Sequence, residues 1–335
     1  MLLDIISLVL SLGIILLSCE LFTNGVEWLG KKLRLGDGVV GSIFSAVGTC
    51  LPETIIPIIA ILFSEKSSEN VEIGIGAIVG APFMLSTLAF FLTGLSVLIF
   101  WKKRKTGMKM MVNNQTLKRD IGFFILIYSI GLFTSLIGIR ALTYGAALFL
   151  FCCYVYYIVQ TVKSDVESHN QLEPLYLTRL FSKKTPLSLI LLQVAFALAG
   201  IIIGAELFVE SIGETSALLG ISPLVLSLII TPVATELPEK FNSVIWISKK
   251  KDTLALGNIT GAMVFQSCIP VAIGMLATPW QLDVKAMVSG ILALLSAGVV
   301  YVWIRVKGRL NPIPLLAGGL FYVSFILYLV LNGFK

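Results

Sequence analysis

The sequence contains few charged residues and almost no histidine. Asp, Glu, Lys and Arg make up 13% of the 335 residues, roughly half their share in an ordinary soluble domain. His169 is the single histidine and lies in a polar stretch, which disfavours histidine-based catalysis and a metal centre held by imidazoles. The five cysteines all lie in apolar segments and lack zinc-finger spacing. We therefore expect neither an enzyme nor a resident cofactor.

Apolar residues dominate the chain instead. They account for 57% of the sequence, and the mean hydropathy is +0.95. A run of about 20 apolar residues is long enough to cross a bilayer as a helix. The pattern therefore predicts an all-α polytopic membrane protein with ten transmembrane helices. The predicted spans are 2–28, 38–63, 71–101, 120–138, 141–162, 187–212, 220–248, 252–277, 285–305 and 312–333.

The distribution of basic residues predicts the orientation in the membrane. Loops that follow odd-numbered spans hold twenty lysines and arginines, whereas the opposite side holds four. The positive-inside rule therefore places both termini outside and the basic loops in the cytoplasm. We expect a multi-pass protein of the plasma or inner membrane. Because the basic residues lie at span ends, membrane lipid is the expected partner here, and a nucleic-acid partner is disfavoured. The sequence specifies no oligomeric state.

The chain divides into two related halves. We predict a first five-helix repeat over 1–162, a cytoplasmic linker over 163–186 and a second five-helix repeat over 187–335. A shift of 186 residues aligns "ELF" with "ELF" and "TCLPE" with "TELPE", and a shift of 181 aligns "GAIVGA" with "GNITGA". Because five is odd, the two repeats must have opposite orientations, which is typical of secondary transporters. The candidate ion motifs lie within 46–86 and 232–267.

Two repeat-related prolines predict a local irregularity in each half. Pro52 and Pro238 have no N–H to offer the carbonyls of Gly48 and Ala234. Within the hydrocarbon such carbonyls are tolerated only where protein, water or a ligand covers them. The sequence therefore predicts an interrupted helix in each repeat, with a carbonyl oxygen available near the middle of the membrane.

Oxygen-bearing side chains lie beside both prolines. Thr49 and Glu53 flank the first, and Thr235 and Glu239 flank the second. Carbonyl, hydroxyl and carboxylate oxygens at one depth form a site for hard cations. The alternative is a kinked helix whose glutamate hydrogen-bonds to a neighbour. The presence of two inverted copies favours ion binding.

These motifs resemble those of the calcium/cation antiporter superfamily, close to its sodium/calcium exchanger branch. That family has two inverted repeats and a "G-T-S-L-P-E" motif in spans 2 and 7. The resemblance implies that the motif glutamates bind calcium and sodium, assisted by the threonines and by carbonyls three residues earlier. The implied positions are Glu53, Glu239, Thr49, Thr235, Ala46 and Pro232.

The chain departs from the family pattern at several of these positions. The motif serine is replaced by Cys50 in one half and by Glu236 in the other. In spans 3 and 8 the family usually carries a serine and a final amide or acid, where this chain has Ala81 and Leu85, then Ala262 and Gln266. Several sodium ligands are therefore missing, and Cys50 introduces an atom suited to softer metals such as manganese or cadmium.

The resemblance implies a secondary-active antiporter that works by alternating access. We expect it to move a divalent cation, foremost Ca²⁺, in exchange for Na⁺. Proton coupling, or another divalent cation such as Mg²⁺ or Mn²⁺, is the alternative. A cation channel or an intramembrane enzyme is disfavoured.

Glu236 has two alternative roles. It lies four residues before Lys240, the favourable order for a helical ion pair. Lys240 would then neutralise Glu236 and leave two glutamates for one divalent cation. Alternatively, Glu236 binds the ion, together with the metal-binding pair Glu53 and Glu239, and Lys240 extends toward the cytoplasmic end. We favour the second alternative.

Overall fold

The computed structural model describes residues 2–33, 50–64, 67–104, 106–164, 174–181 and 185–334, without the side chains of 2–4, 162–164, 179–181 and 237–239. Apart from one isolated bridge between Met110 and Leu310, the regular structure of these residues is helical. The all-α prediction is confirmed. Ala46 and Thr49 lie outside the described residues.

The described residues form twelve α-helices, which are numbered here in chain order. They are α1 Leu2–Lys32, α2 Leu51–Ile58, α3 Ser68–Met84, α4 Phe90–Phe100, α5 Asn114–Thr134, α6 Arg140–Ser164, α7 Tyr176–Phe181, α8 Leu187–Leu219, α9 Pro223–Ser248, α10 Asp252–Ala277, α11 Val284–Lys307 and α12 Pro312–Asn332. A π-helical turn, Ile59–Phe63, extends α2, and another, Leu85–Ala89, joins α3 to α4.

Seven of the described helical segments are long and apolar enough to cross a membrane. They are α1, the continuous segment from α3 through α4, α6, α8, α10, α11 and α12. Helix α2 with its π-helical turn and the first part of α9 are shorter apolar helices. The chain is thus a multi-pass membrane protein, and the count of ten spans stays a prediction.

Helices α3 and α10 form the centre of the bundle. The most apolar stretch of the segment from α3 through α4 is 61% buried, and that of α10 is 78% buried, against 22% for α1. Helix α3 packs against α9 with very little separation, because Gly76 and Gly80 face it. A Cβ on Gly80 would overlap the carbonyl oxygen of Leu228 and come within 2.8 Å of Pro232 Cγ. Small residues four apart allow this close approach of helix backbones.

Helices α1 and α8 pack on each other beside this centre, and the short helix α7 docks across them. Gln193 of α8 is buried and donates hydrogen bonds to the Leu21 carbonyl, at 2.9 Å, and to Asn24 Oδ1, at 3.0 Å. Its own amide oxygen accepts a 3.0 Å hydrogen bond from the Leu177 backbone. Tyr176 donates from its backbone to Asn24 Oδ1 at 3.1 Å. The described part of the predicted linker is therefore fixed to both long helices.

A buried ion pair ties the segment before α5 to the start of α10. The Arg104 guanidinium donates two hydrogen bonds to the Asp252 carboxylate, at 2.7 and 2.5 Å, and both side chains are 1% exposed. Arg104 also donates to the Ile247 carbonyl, and Asp252 accepts from the Met111 backbone. Because the guanidinium and the carboxylate are buried and joined by two charge-assisted hydrogen bonds, the pair fixes the end of α9 and the start of α10 relative to this segment.

Candidate functional site

Glu53 lies in the first turn of α2. Cys50 forms the turn before the helix, and Pro52 occupies the opening positions, where its missing N–H breaks no helical hydrogen bond. The Thr54 hydroxyl donates to the Cys50 carbonyl at 2.7 Å and closes this turn. Glu53 is only 2% exposed. A carboxylate at a helix N-terminus is favoured by the partial positive charge of the peptide dipoles.

The second repeat differs from the first at its proline. Helix α9 continues without interruption from Pro223 to Ser248, through position 238. The expected interruption at Pro238 is therefore wrong for this helix. Proline removes a single N–H donor, and surrounding helices can cover the carbonyl that loses its partner. The backbone of Glu239 belongs to α9, and its side chain lies outside the described ones.

A chain of buried polar groups runs between α9 and α10. Gln266 donates from Nε2 to Glu236 Oε1 at 3.4 Å, and the other Glu236 oxygen lies 3.0 Å from Lys240 Nζ. Lys240 in turn donates to Asn258 Oδ1 at 3.1 Å. Glu236, Gln266 and Lys240 are each at most 2% exposed. The two α9 side chains contact each other, and each also contacts one α10 side chain, so the four form one connected cluster.

This cluster corrects the expectation for Lys240. We favoured a lysine that extends toward the cytoplasmic end, but Lys240 is buried against Glu236. The i, i+4 spacing allows this pairing, and burial strengthens the attraction between the two charges. Glu236 nevertheless also contacts Gln266, so it reaches the position that the family resemblance assigns to an ion ligand.

Thr235 and Pro232 precede the cluster on α9 and are both buried. The Thr235 hydroxyl donates to the Thr231 carbonyl at 2.9 Å. The hydroxyl proton therefore points back along the helix to that carbonyl, and the two lone pairs of the hydroxyl oxygen point away from it. Pro232 packs against α3 at Gly80.

The helix packing brings part of the predicted site together. Helix α2 contacts both α9 and α10, so Glu53 lies on a helix that touches the carriers of Glu236 and Gln266. Cys50, 5% exposed, directly precedes α2. Where the family has polar side chains, Ala81 and Leu85 are both buried. The described portion of the site thus combines two buried carboxylates, one buried amide and one buried lysine.

Two polar groups were not singled out by sequence reasoning. Asn258 is half-buried and accepts a hydrogen bond from the Lys240 ammonium. Asp120 of α5 is buried, and its carboxylate accepts from the Thr260 hydroxyl at 3.1 Å and from Arg119 at 3.0 Å. An acid inside a predicted span was the available sequence signal for Asp120.

A cavity of about 610 Å³ opens beside the π-helical turn that extends α2, the start of α3 and the end of α10. Ala60, Glu72, Ala277 and Gln281 are among its lining residues. Ala60 lies seven residues after Glu53 in α2 and its π-helical extension, which corresponds to about 10 Å along a helix. The cavity therefore reaches toward the helix that carries Glu53.

Buried carboxylates within a bundle of apolar, membrane-length helices are typical of ion and substrate pathways. Comparison with protein families supports a transporter. The family model described as sodium/calcium exchanger protein matches residues 3–163 and 189–334. The chain belongs to the sodium/calcium exchanger family, a family of cation antiporters.

Individual relatives are distant in sequence and similar in length. The uncharacterized membrane protein MJ0091 of Methanocaldococcus jannaschii is 26% identical over 273 residues, covering 79% of this chain and 80% of the relative. Among solved structures, the H⁺/Ca²⁺ exchanger CAX superposes with a TM-score of 0.75 at 19% identity, covering 96% of this chain and 82% of its own. The sodium-calcium exchanger NCX_Mj gives 0.56 at 20% identity, covering 98% and 99%. These structures share the fold.

Proposed function

We propose that this protein is a secondary-active antiporter that moves Ca²⁺ across the membrane in exchange for Na⁺. The observation that carries the proposal is the buried carboxylate Glu53 on α2, a helix packed against the carriers of Glu236 and Gln266. Buried carboxylate and amide oxygens are ligands for hard cations such as Ca²⁺ and Na⁺. The family and the two structural neighbours support cation exchange as the activity.

The charges of the site match a divalent ion. Glu53, Glu236 and Glu239 supply three negative charges, and Lys240 supplies one positive charge. The remaining charge of −2 balances a single Ca²⁺. We place the Ca²⁺ between Glu53 and Glu239, with oxygens of Thr49, Thr235, Ala46 and Pro232 as further ligands. This assignment for the positions outside the described residues rests on the family resemblance.

Alternating access follows from the proposed inverted repeats. In that arrangement 1–162 and 187–335 have opposite orientations, with both termini outside. The contact of α3 with α9 and that of α2 with α10 support it, because the proposed repeat relates α2 to α9 and α3 to α10 and so makes the two contacts counterparts of each other. The family match on both sides of the linker supports it as well. Helices α1 and α8, which pack mainly on each other, are suited to move relative to the centre.

Proton coupling is a second candidate, favoured by the apolar character of part of the site. Leu85 is fully buried and Ala81 nearly so, where sodium ligands occur in the family. With fewer oxygen ligands, Na⁺ should drive transport less steeply than in an ordinary sodium/calcium exchanger. Glutamates that lose a proton on binding Ca²⁺ would then supply the counter-ion.

Ion flux in liposomes tests both candidates. Purified protein is reconstituted, and Ca²⁺ uptake is recorded with an outward Na⁺ gradient, an outward H⁺ gradient, or neither. The proposal expects Ca²⁺ uptake only when a counter-ion gradient is present. Mg²⁺ and Mn²⁺ are added as competitors to test whether another divalent cation is transported instead. Uptake of the same rate without any counter-ion would indicate a channel. Steep sodium dependence at constant pH would rule out the proton candidate.

A further inference from the structure

Lys240 is an unusual residue for the interior of an apolar bundle. Its side chain is 1% exposed, and its ammonium lies between Glu236 Oε2, at 3.0 Å, and Asn258 Oδ1, at 3.1 Å. A charged side chain at this depth is costly unless an opposite charge and hydrogen-bond acceptors surround it. The surroundings supply both, so the ammonium is held by the protein.

The atoms around the ammonium are the atoms that would bind a free cation. A carboxylate oxygen and an amide oxygen are common ligands of hard monovalent and divalent ions. Glu236 also faces Gln266, whose Oε1 is buried without a hydrogen-bond partner among the described residues. Lys240 Nζ thus occupies a position with the ligand chemistry of an ion site.

We propose that Lys240 is a tethered cation that permanently fills one monovalent position of the exchanger. The inference rests on the proposed function, and it adds a reason for the missing sodium ligands. If one positive charge is built into the protein, each transport cycle needs one fewer free counter-ion. Glu236 then serves to hold Lys240, while the divalent ion is left to Glu53 and Glu239.

A purely structural ion pair would behave differently. An i, i+4 pair that only stabilises α9 can be replaced by neutral side chains without creating a site for ions. A tethered cation leaves an empty cation position when the lysine is neutralised. The two roles therefore differ in how the variant responds to salt.

Thermal unfolding of purified variants in detergent distinguishes the structural ion pair from the tethered cation. Lys240→Met removes the ammonium and leaves Glu236, so its melting temperature should be low in choline chloride and rise with NaCl. The expected rise is roughly 4 °C at an ion concentration about a hundred times its dissociation constant. Wild type and Lys240→Arg, which keep the charge, should show a much smaller sodium effect.

The matched control removes both charges. Glu236→Gln with Lys240→Met retains the shape of the pair but no anionic ligand, so its melting temperature should not respond specifically to Na⁺. If Lys240→Met does not fold, Lys240→Gln is measured in the same way. A response to Na⁺ in Lys240→Met or Lys240→Gln equal to that of wild type overturns the inference.

Transport separates this inference from the proposed function. In liposomes, Lys240→Met should require about one more Na⁺ per Ca²⁺ than wild type, seen as a steeper sodium dependence and a shifted reversal potential. An unchanged stoichiometry in an active variant contradicts the tethered cation and leaves the exchanger proposal intact. Absence of any counter-ion-driven flux in wild type contradicts the proposed function, and the unfolding experiment still decides whether the variant binds a cation.

Discussion

Gly80→Ala tests the close contact between α3 and α9, on which the position of the site depends. A Cβ at Gly80 would overlap the Leu228 carbonyl oxygen and approach Pro232 Cγ within 2.8 Å. Alanine gains about 1 kcal/mol of helix propensity over glycine, whereas overpacking costs about 1 to 3 kcal/mol. The main obstacle is backbone, which no rotamer change can relieve, so the overpacking cost should exceed the propensity gain. We expect a net loss of about 1 to 2 kcal/mol, because a backbone obstacle places the overpacking cost in the upper part of its range.

Thermal unfolding in detergent measures this loss. For a protein of this size, a loss of about 1 to 2 kcal/mol lowers the melting temperature by roughly 1.5 to 3 °C. The matched control is Gly145→Ala in α6, where an added Cβ meets no described atom within 4 Å. Gly145→Ala should melt at or above the wild-type temperature. A Gly80→Ala protein as stable as wild type, or an equal loss in both variants, would refute the close packing of α3 on α9.

Three further substitutions test other contacts. Asp252→Asn leaves the buried Arg104 guanidinium without its counter-charge and should lower the free energy of unfolding by about 3 kcal/mol. Chemical denaturation measures this loss, and a loss below about 1 kcal/mol would contradict the role of the buried pair. Gln193→Leu removes three hydrogen bonds around α7, each worth about 1 kcal/mol. Hydrogen exchange at the Leu177 amide should therefore be faster than in wild type, and an unchanged exchange rate would argue against docking of α7 on α1 and α8. Thr235→Val should weaken Ca²⁺ binding several-fold, whereas Thr235→Ser should not; equal affinities would remove Thr235 from the ligand set.

The sequence predicts the helical fold well, because long apolar runs leave few alternatives in a membrane. It also predicts that Pro52 marks a helix boundary, and α2 begins at Leu51. The same reasoning fails at Pro238, since α9 continues through it. A proline removes one donor in either case, and whether the helix ends or only bends is decided by the packing of neighbouring helices.

The cluster around Glu236 shows a second limit of sequence reasoning. Spacing alone allowed Lys240 either to pair with Glu236 or to extend away from it. The choice depends on what faces α9, and Asn258 of α10 provides the acceptor that holds the lysine inside. Such a contact joins residues 18 positions apart in different helices, and no local pattern encodes it.

The role of Glu53 is tested most directly by Ca²⁺ uptake into liposomes containing Glu53→Gln. Glutamine preserves the size and one oxygen of the side chain but removes the negative charge that the site needs for a divalent ion. We expect counter-ion-driven Ca²⁺ uptake to be lost in Glu53→Gln, and likewise in Glu239→Gln, while the melting temperature stays close to that of wild type. Wild-type uptake by a folded Glu53→Gln protein would contradict the assignment of this buried carboxylate as the cation ligand.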